Sequence, residues 1–121
     1  MAMYGTPTID GIIDPIWERA GLIVPQIQSS ERVQATGEFR VLWDDGALYT
    51  LFIVTDPVLN SSSMNSYEQD SVEVFLDEAN DKGAFYQSDD VHYPVNYENI
   101  RTTDAGDPHR FFQYGGNCAH W

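Results

Sequence analysis

Basic side chains are scarce in this chain. Six lysines and arginines stand against nineteen acidic residues, a formal net charge of −13 over 121 residues. A chain so charged repels phosphate backbones and anionic lipid, which removes nucleic acid and membrane surfaces from the expected partners. The single cysteine, Cys118, allows no internal disulfide. No apolar run approaches the roughly 20 residues of a membrane-spanning helix. The N-terminus has no basic-then-apolar leader, so an export signal is expected to have been removed or to lie outside these residues. The three histidines, His92, His109 and His120, form no HxxxH or similar spacing, and Cys118 has no evident base beside it. Internal repeats and linkers are also missing, so residues 1–121 are read as one domain.

What remains is enough for a folded core: 42% of residues are hydrophobic and 13% aromatic. The pattern is of short strands. Asp14-Pro15-Ile16-Trp17-Glu18-Arg19-Ala20 reads as one short helix, with Asp14 at the N-cap, Pro15 at the first helical position and Gly21 as its stop. Trp17 is then expected to seal one end of the core. Ile9-Asp10-Gly11 reads as a strand end entering a turn, and Leu22-Ile23-Val24 before Pro25 as an edge strand. Phe39, Val41 and Trp43 alternate with Glu38, Arg40 and Leu42 up to Asp44-Asp45-Gly46, a hairpin signal. The returning run, Leu48 to Val54, is apolar on both faces and predicts a central, covered strand. Ser71 to Leu76 alternates cleanly, with Val72, Val74 and Leu76 on one face and Ser71, Glu73 and Phe75 on the other. His92 to Tyr97 alternates again, with Pro94 pointing to an edge or a bulge. Gly83-Ala84-Phe85-Tyr86 and Arg110 to Tyr114 are candidates for two further short strands. Together these give an all-β sandwich of antiparallel, jelly-roll-like sheets with one short N-terminal helix.

Three sets of residues carry candidate chemistry. Tyr67, in the loop before the Ser71 strand, Glu73 on that strand and Asn96 on the His92 strand offer a ring, a carboxylate and an amide. A ring can cover the apolar face of a pyranose while the polar groups take its hydroxyls. The plainer alternative is that Tyr67 covers the core edge and the other two face water. The second set is acidic. Eight carboxylates lie between Glu68 and Asp90, which is usually a solvated face, but Asp77, Glu78, Asn80 and Asp81 crowd hard oxygen ligands into one loop, a pattern that suits calcium. The loop lacks the spacing of an EF-hand. The third set tests catalysis. Asp70 and Glu73 are three apart at the start of a strand and point to opposite faces, so they cannot flank one glycosidic bond. The chain is read as non-enzymatic.

A family resemblance bears on these sets. Tyr67-Glu68-Gln69-Asp70-Ser71-Val72-Glu73-Val74-Phe75-Leu76-Asp77 resembles the W-E-Q-D-S-V-E-I-F-I-D signature of carbohydrate-binding modules of family 9, which accompany xylanases. Tyr4 to Gly11, Asp14-Pro15-Ile16-Trp17, Val41-Leu42-Trp43-Asp44, Leu48-Tyr49, Asp56-Pro57-Val58-Leu59, Asp89-Asp90 and Val95-Asn96-Tyr97 are similar to the same modules, in order, over about residues 4–112. The resemblance implies binding of xylan, cellulose or their oligosaccharides, with chain ends among the targets, on behalf of an attached and secreted xylanase. It also implies structural calcium, and it matches Glu73 and Asn96 to the family's polar contacts. Tyr67 stands where the family has Trp, and Pro94 where it has a sugar-binding Arg. The domain is expected to be shortened at its C-terminal end, which removes a second aromatic wall, weakens the site and leaves unpaired strands that favour self-association. Two alternatives stay open: a haem-binding redox sandwich using Met64 and His92, and a structural spacer that has lost sugar binding.

Overall fold

The computed structural model describes residues 1–26, 35–65, 68–98 and 100. These fall into two compact units, Met1–Val58 and the residues from Leu59 onward. Strand is the dominant regular structure, with one 3-10 helix at Pro15–Arg19. The predicted strand segments Arg110 to Tyr114 lie outside the described residues.

The first unit is a three-stranded sheet in the order β1 (Met3–Tyr4), β2 (Thr36–Trp43), β3 (Leu48–Thr55). β2 and β3 form the hairpin read from the sequence, with Trp43 opposite Leu48 and Thr36 opposite Thr55. Their sequences are rich in aromatic and branched residues that fit a pleated surface, and the direct partners Phe39 and Phe52 stack at 5.5 Å. β1 runs parallel to β2, pairing Met3 with Leu42 and Tyr4 with Trp43. The strand expected to end at Ile9 therefore lies earlier. Residues 10–12 are a bend instead, with Gly11 at φ 86 and the Ile12 amide bonded to Asp10 Oδ1.

The alternation on β2 has its core side on the set that holds two charged residues. Leu42 is fully buried, and it packs with Trp17 and Ala20, flanked by Ile16, Tyr49 and Leu51. Trp43, on the opposite face, is 43% exposed. Arg40 fits the buried side because its Nη1 donates to the Ala20 carbonyl at 2.7 Å. Trp17 does seal the cluster. Its helix, however, is a five-residue 3-10 turn, and Asp14 makes no side-chain cap. Asp14 does stand at the N-cap with Pro15 following, but its Oδ2 accepts from the Thr8 amide rather than from the helix. Leu22–Val24 contributes a single bridge, Ile23 to Phe39, and no full strand. β3 is the outer strand among the described residues, not a central one, and Leu48 and Ile53 are exposed on it.

The hairpin turn is a four-residue loop, not a two-residue type I′ turn. Gly46 does not take positive φ, and the Asp44 amide closes the loop on the Ala47 carbonyl. The Asp44 side chain organises it. Oδ1 accepts from the Gly46 and Ala47 amides, and Oδ2 from the Thr6 and Tyr49 hydroxyls, all within 2.9 Å.

The second unit is an antiparallel pair, β4 (Ser71–Asp77) and β5 (Asp90–Asn96). Ser71 faces Asn96, Glu73 faces Pro94, Phe75 faces His92 and Asp77 faces Asp90. These side chains share one face of the pair. Val72, Val74 and Leu76 share the other with Val95, Tyr93 and Val91, of which Val91 and Val95 are buried. Pro94 sits in register without a bulge; proline is tolerated in a ladder where no donor is required. Gly83 to Tyr86 is not a strand. Asn80 and Lys82 carry φ values of 53 and 58, and a left-handed backbone beside it is incompatible with extended pairing.

Candidate functional site

The second unit holds each described candidate, and its loop geometry is built from side-chain hydrogen bonds. Asn60 and Asp70 clasp each other. The Asn60 amide donates to Asp70 Oδ2 at 2.6 Å, and the Asp70 amide donates to the Asn60 carbonyl at 2.9 Å. Asn60 Oδ1 accepts from both the amide and the hydroxyl of Ser62. Gln69 Nε2 donates to the Ser63 carbonyl at 2.7 Å. Serine, asparagine and aspartate bind neighbouring backbone readily, which is why this composition makes a shaped loop. The loop carries position 67. Tyr67 itself lies outside the described residues.

Asn96 is joined to that frame. Its Nδ2 donates to Gln69 Oε1 at 2.9 Å, and its Oδ1 accepts from the Ile100 amide at 2.8 Å. It is 8% exposed, the buried polar residue among those described. One amide hydrogen remains beyond the Gln69 bond. Beside it is a shallow groove of about 140 Å³ whose lining includes Gln69, Ser71, Pro94, Asn96, Glu98 and Ile100. Pro94 and Ile100 give the groove an apolar side, and Gln69, Ser71 and Glu98 give it polar rims. Such a mixture suits a ligand with apolar C–H faces and many hydroxyls.

Glu73 lies on the same face, one rung along from Ser71 and Asn96. The structure brings Glu73 and Asn96 to neighbouring strands and one surface, but their polar atoms are engaged by different partners. Glu73 Oε2 is 3.1 Å from His92 Nε2, and Oε1 accepts weakly from Ser71 Oγ at 3.4 Å. A carboxylate so placed keeps lone pairs for hydroxyl donors. His92 stacks on Phe75 with ring centroids 4.1 Å apart and planes 6° apart. Sequence alternation placed Phe75 on this face, yet Phe75 was not marked as part of a site, and His92 only as a haem ligand with Met64. An aromatic on the polar face of a half-buried strand was the available signal.

The acidic loop is arranged around Asp77. Its Oδ1 and Oδ2 accept from the Asp81 and Lys82 amides. Asp81 Oδ1 takes the Gly83 amide, and both its oxygens take Gln87 Nε2. Asp77, Asp81 and Asp89 bring carboxylate oxygens within 4.8 Å of one another. Asp89 comes from the turn just before β5, where spacing along the loop gave no hint of it. Asp89 Oδ2 is enclosed and has no hydrogen-bond partner. Glu78 is not in this carboxylate group, and Asn80 is set apart by its left-handed backbone rather than by an observed contact.

In the first unit, hydrogen bonding perturbs Asp44. The Thr6 hydroxyl, then the Gly46 amide and the Tyr49 hydroxyl, hold the Asp44 carboxyl down at about 2, from 3.8. The same contact raises Tyr49, because the phenol donates to an anion. Asp44 therefore stays ionised at any ordinary pH and serves the turn. Asp70 is tied to Asn60 and Glu73 faces His92, so the two form no catalytic pair.

Among the described residues, an all-β structure and a groove with both apolar and polar sides fit a binding module of all-β class. Comparison with known proteins gives its family. The sequence model described as "Carbohydrate family 9 binding domain-like" matches residues 9–117, across both units, and the chain belongs to that family. It is 52% identical over 98 residues to "Exoglucanase XynX" of Acetivibrio thermocellus, covering 81% of this chain and 9% of that protein. It is 49% identical over 113 residues to "Endo-1,4-beta-xylanase A" of Thermotoga maritima, covering 91% of this chain and 11% of that protein. Among solved structures it resembles a family 9 module from Caldicellulosiruptor kristjanssonii in complex with cellotriose, with a TM-score of 0.85 and 52% identity over 92% of this chain and 56% of that one. The same module in complex with glucose matches with the same TM-score and identity. The chain thus spans about a tenth of those enzymes and a little over half of the solved module. It is not itself an enzyme, and neither the haem reading nor the spacer reading gains support.

Proposed function

We propose that this module binds β-linked plant cell-wall polysaccharide, cellulose or xylan and their oligosaccharides, without cleaving it. In doing so it holds an attached xylanase on its substrate outside the cell. The observation that carries this reading is the 52% identity, across 92% of the chain, to a module solved with cellotriose. The groove supports it. Tyr67 serves as the stacking platform, Glu73 accepts from ligand hydroxyls, and Asn96 contributes its remaining amide hydrogen while holding the groove wall. Residues 1–121 act as one module, and the family match across both units supports that.

Calcium is proposed as a structural ion at the acidic loop. Asp77, Asp81 and Asp89 present hard oxygens in a closed group, and the enclosed Asp89 Oδ2 lacks a donor. Both features fit a divalent cation of this type, with Glu78 and Asn80 close by in the same loop. Bound there, the ion would offset two of the three like charges and tie the end of β4 to the turn that leads into β5. The outer edge of β3, and the outer edges of the β4–β5 pair, carry no further strand among the described residues. Self-association through such edges is proposed as well, and a size-exclusion profile at two concentrations checks it.

Calorimetry with cellotriose, xylotriose and glucose tests the central reading. Measurable heat with cellotriose, and its loss in Glu73→Ala, is expected. An absence of binding to all three sugars at millimolar concentration overturns it.

A further inference from the structure

We propose that Phe75 and His92 form a second stacking subsite, next to the groove, that takes a further ring of an uncharged β-linked oligosaccharide. The inference rests on the sugar-binding reading of the groove and extends it along the same face.

The register makes the case. Three successive same-face rungs of the β4–β5 pair are Ser71 with Asn96, Glu73 with Pro94, and Phe75 with His92. The first borders the groove. The third is an aromatic pair in near-parallel contact at 4.1 Å. Four residues separate the outer rungs, about 13 Å at roughly 3.3 Å per residue. That exceeds one pyranose ring, so a ligand touching both ends is an oligosaccharide.

The ring pair is built for stacking. Phe75 is 61% exposed although one of its faces lies on the imidazole. The exposed area is therefore the opposite face and the edge of the phenyl ring. A scattered exposed aromatic needs no explanation, but this one is fixed on a strand and held parallel against the ring of its cross-strand partner. Binding to a platform already in place loses little side-chain freedom. His92 is fixed in turn by Glu73, whose Oε2 holds its Nε2 at 3.1 Å.

Glu73 sits between the two ends. Its own rung partner is Pro94, which has no polar side-chain atom. The carboxylate can accept from a hydroxyl on either neighbouring ring while its His92 bond keeps it in place. The chemistry of the face selects the ligand. Asp77 and Asp90 close it on the next rung, and the chain carries a net charge of −13. An anionic glycan or a nucleotide would be repelled, whereas a neutral glucan or unsubstituted xylan would not.

Calorimetry of the 121-residue chain with glucose and with cellotetraose tests the subsite. The native chain is expected to bind cellotetraose more tightly than glucose. Phe75→Ala is expected to weaken cellotetraose about tenfold and leave glucose unchanged. Phe75→Tyr keeps the flat ring and is expected to bind as the native chain does. Phe75→Leu keeps apolar bulk without a flat face, and it is expected to behave as Phe75→Ala does; it decides the question if the alanine variant fails to fold. An equal loss on both sugars, or no loss on cellotetraose, overturns the subsite. Equal affinity of the native chain for the two sugars overturns it too, while leaving the groove reading intact. No binding of either sugar overturns both.

Discussion

At the scale of single residues, position within a hydrogen-bond frame decides what each polar group does. Glu73 is oriented by His92 and still accessible, so Glu73→Ala removes a charge-assisted acceptor without leaving a buried donor unpaired. Such a bond contributes about 1.5–3 kcal/mol, which predicts a loss in cellotriose affinity of about one to two orders of magnitude, read by calorimetry. Asp44 differs: its four bonds serve the fold. Its folded-state value lies below its ordinary one, so the stability it contributes is fully present above the ordinary value of 3.8 and is lost as pH falls towards about 2. Acid unfolding followed by circular dichroism is expected to lose this component over that window, and Asp44→Ala is expected to unfold at lower temperature at neutral pH with a flatter acid limb. Leu42 is buried against Trp17. Leu42→Ala is expected to cost about 2–5 kcal/mol in a denaturant melt through the cavity it leaves.

At the scale of elements, periodicity was readable where one face of a strand is wet. β4 matches the Ser71–Leu76 alternation to within one residue, and the two faces fall as read. The β2–β3 hairpin was readable for the same reason. Its turn falls where Asp44-Asp45-Gly46 was read, but its anchoring was not legible, because the atoms that hold it belong to Asp44, Thr6 and Tyr49, and Thr6 is far away in sequence. The same limit applies to the candidate site. Tyr67, Glu73 and Asn96 could be chosen from chain pattern and family likeness, but Asn96's commitment to Gln69 and Ile100, and the approach of Asp89 to Asp77 and Asp81, arise from strand pairing. The acidic loop also carries a local test. Lys82 has φ 58, a conformation that costs a side-chain-bearing residue about 1–2 kcal/mol. Lys82→Gly is expected to raise the melting temperature slightly, and Lys82→Val to lower it.

At the scale of the whole molecule, the balance of charge matters more than any single contact. Nineteen acidic groups against six basic ones make the folded chain repel itself. A divalent ion at Asp77, Asp81 and Asp89 would relieve the repulsion where it is densest. Excess chelator is expected to lower the melting temperature, and added calcium to restore it, as any ligand specific to the folded state does. A melt unchanged by either reagent would dismiss the ion. The all-β class was legible because strand-length patterns recur with turn residues between them, and the family could be named from motifs spread along the chain in order. Parallel pairing of β1 with β2 was not legible, since two residues carry too little pattern to assign.

The Thr6–Asp44 bond has a practical corollary for anyone re-engineering the module. Thirty-eight positions separate its two ends, so trimming the first six residues to tidy an expression clone would loosen a hairpin in the middle of the chain. Tags and fusion partners are better joined ahead of Met1 than substituted for the opening segment, and a clone that starts at Pro7 is expected to melt at a lower temperature at neutral pH, with a flatter acid limb.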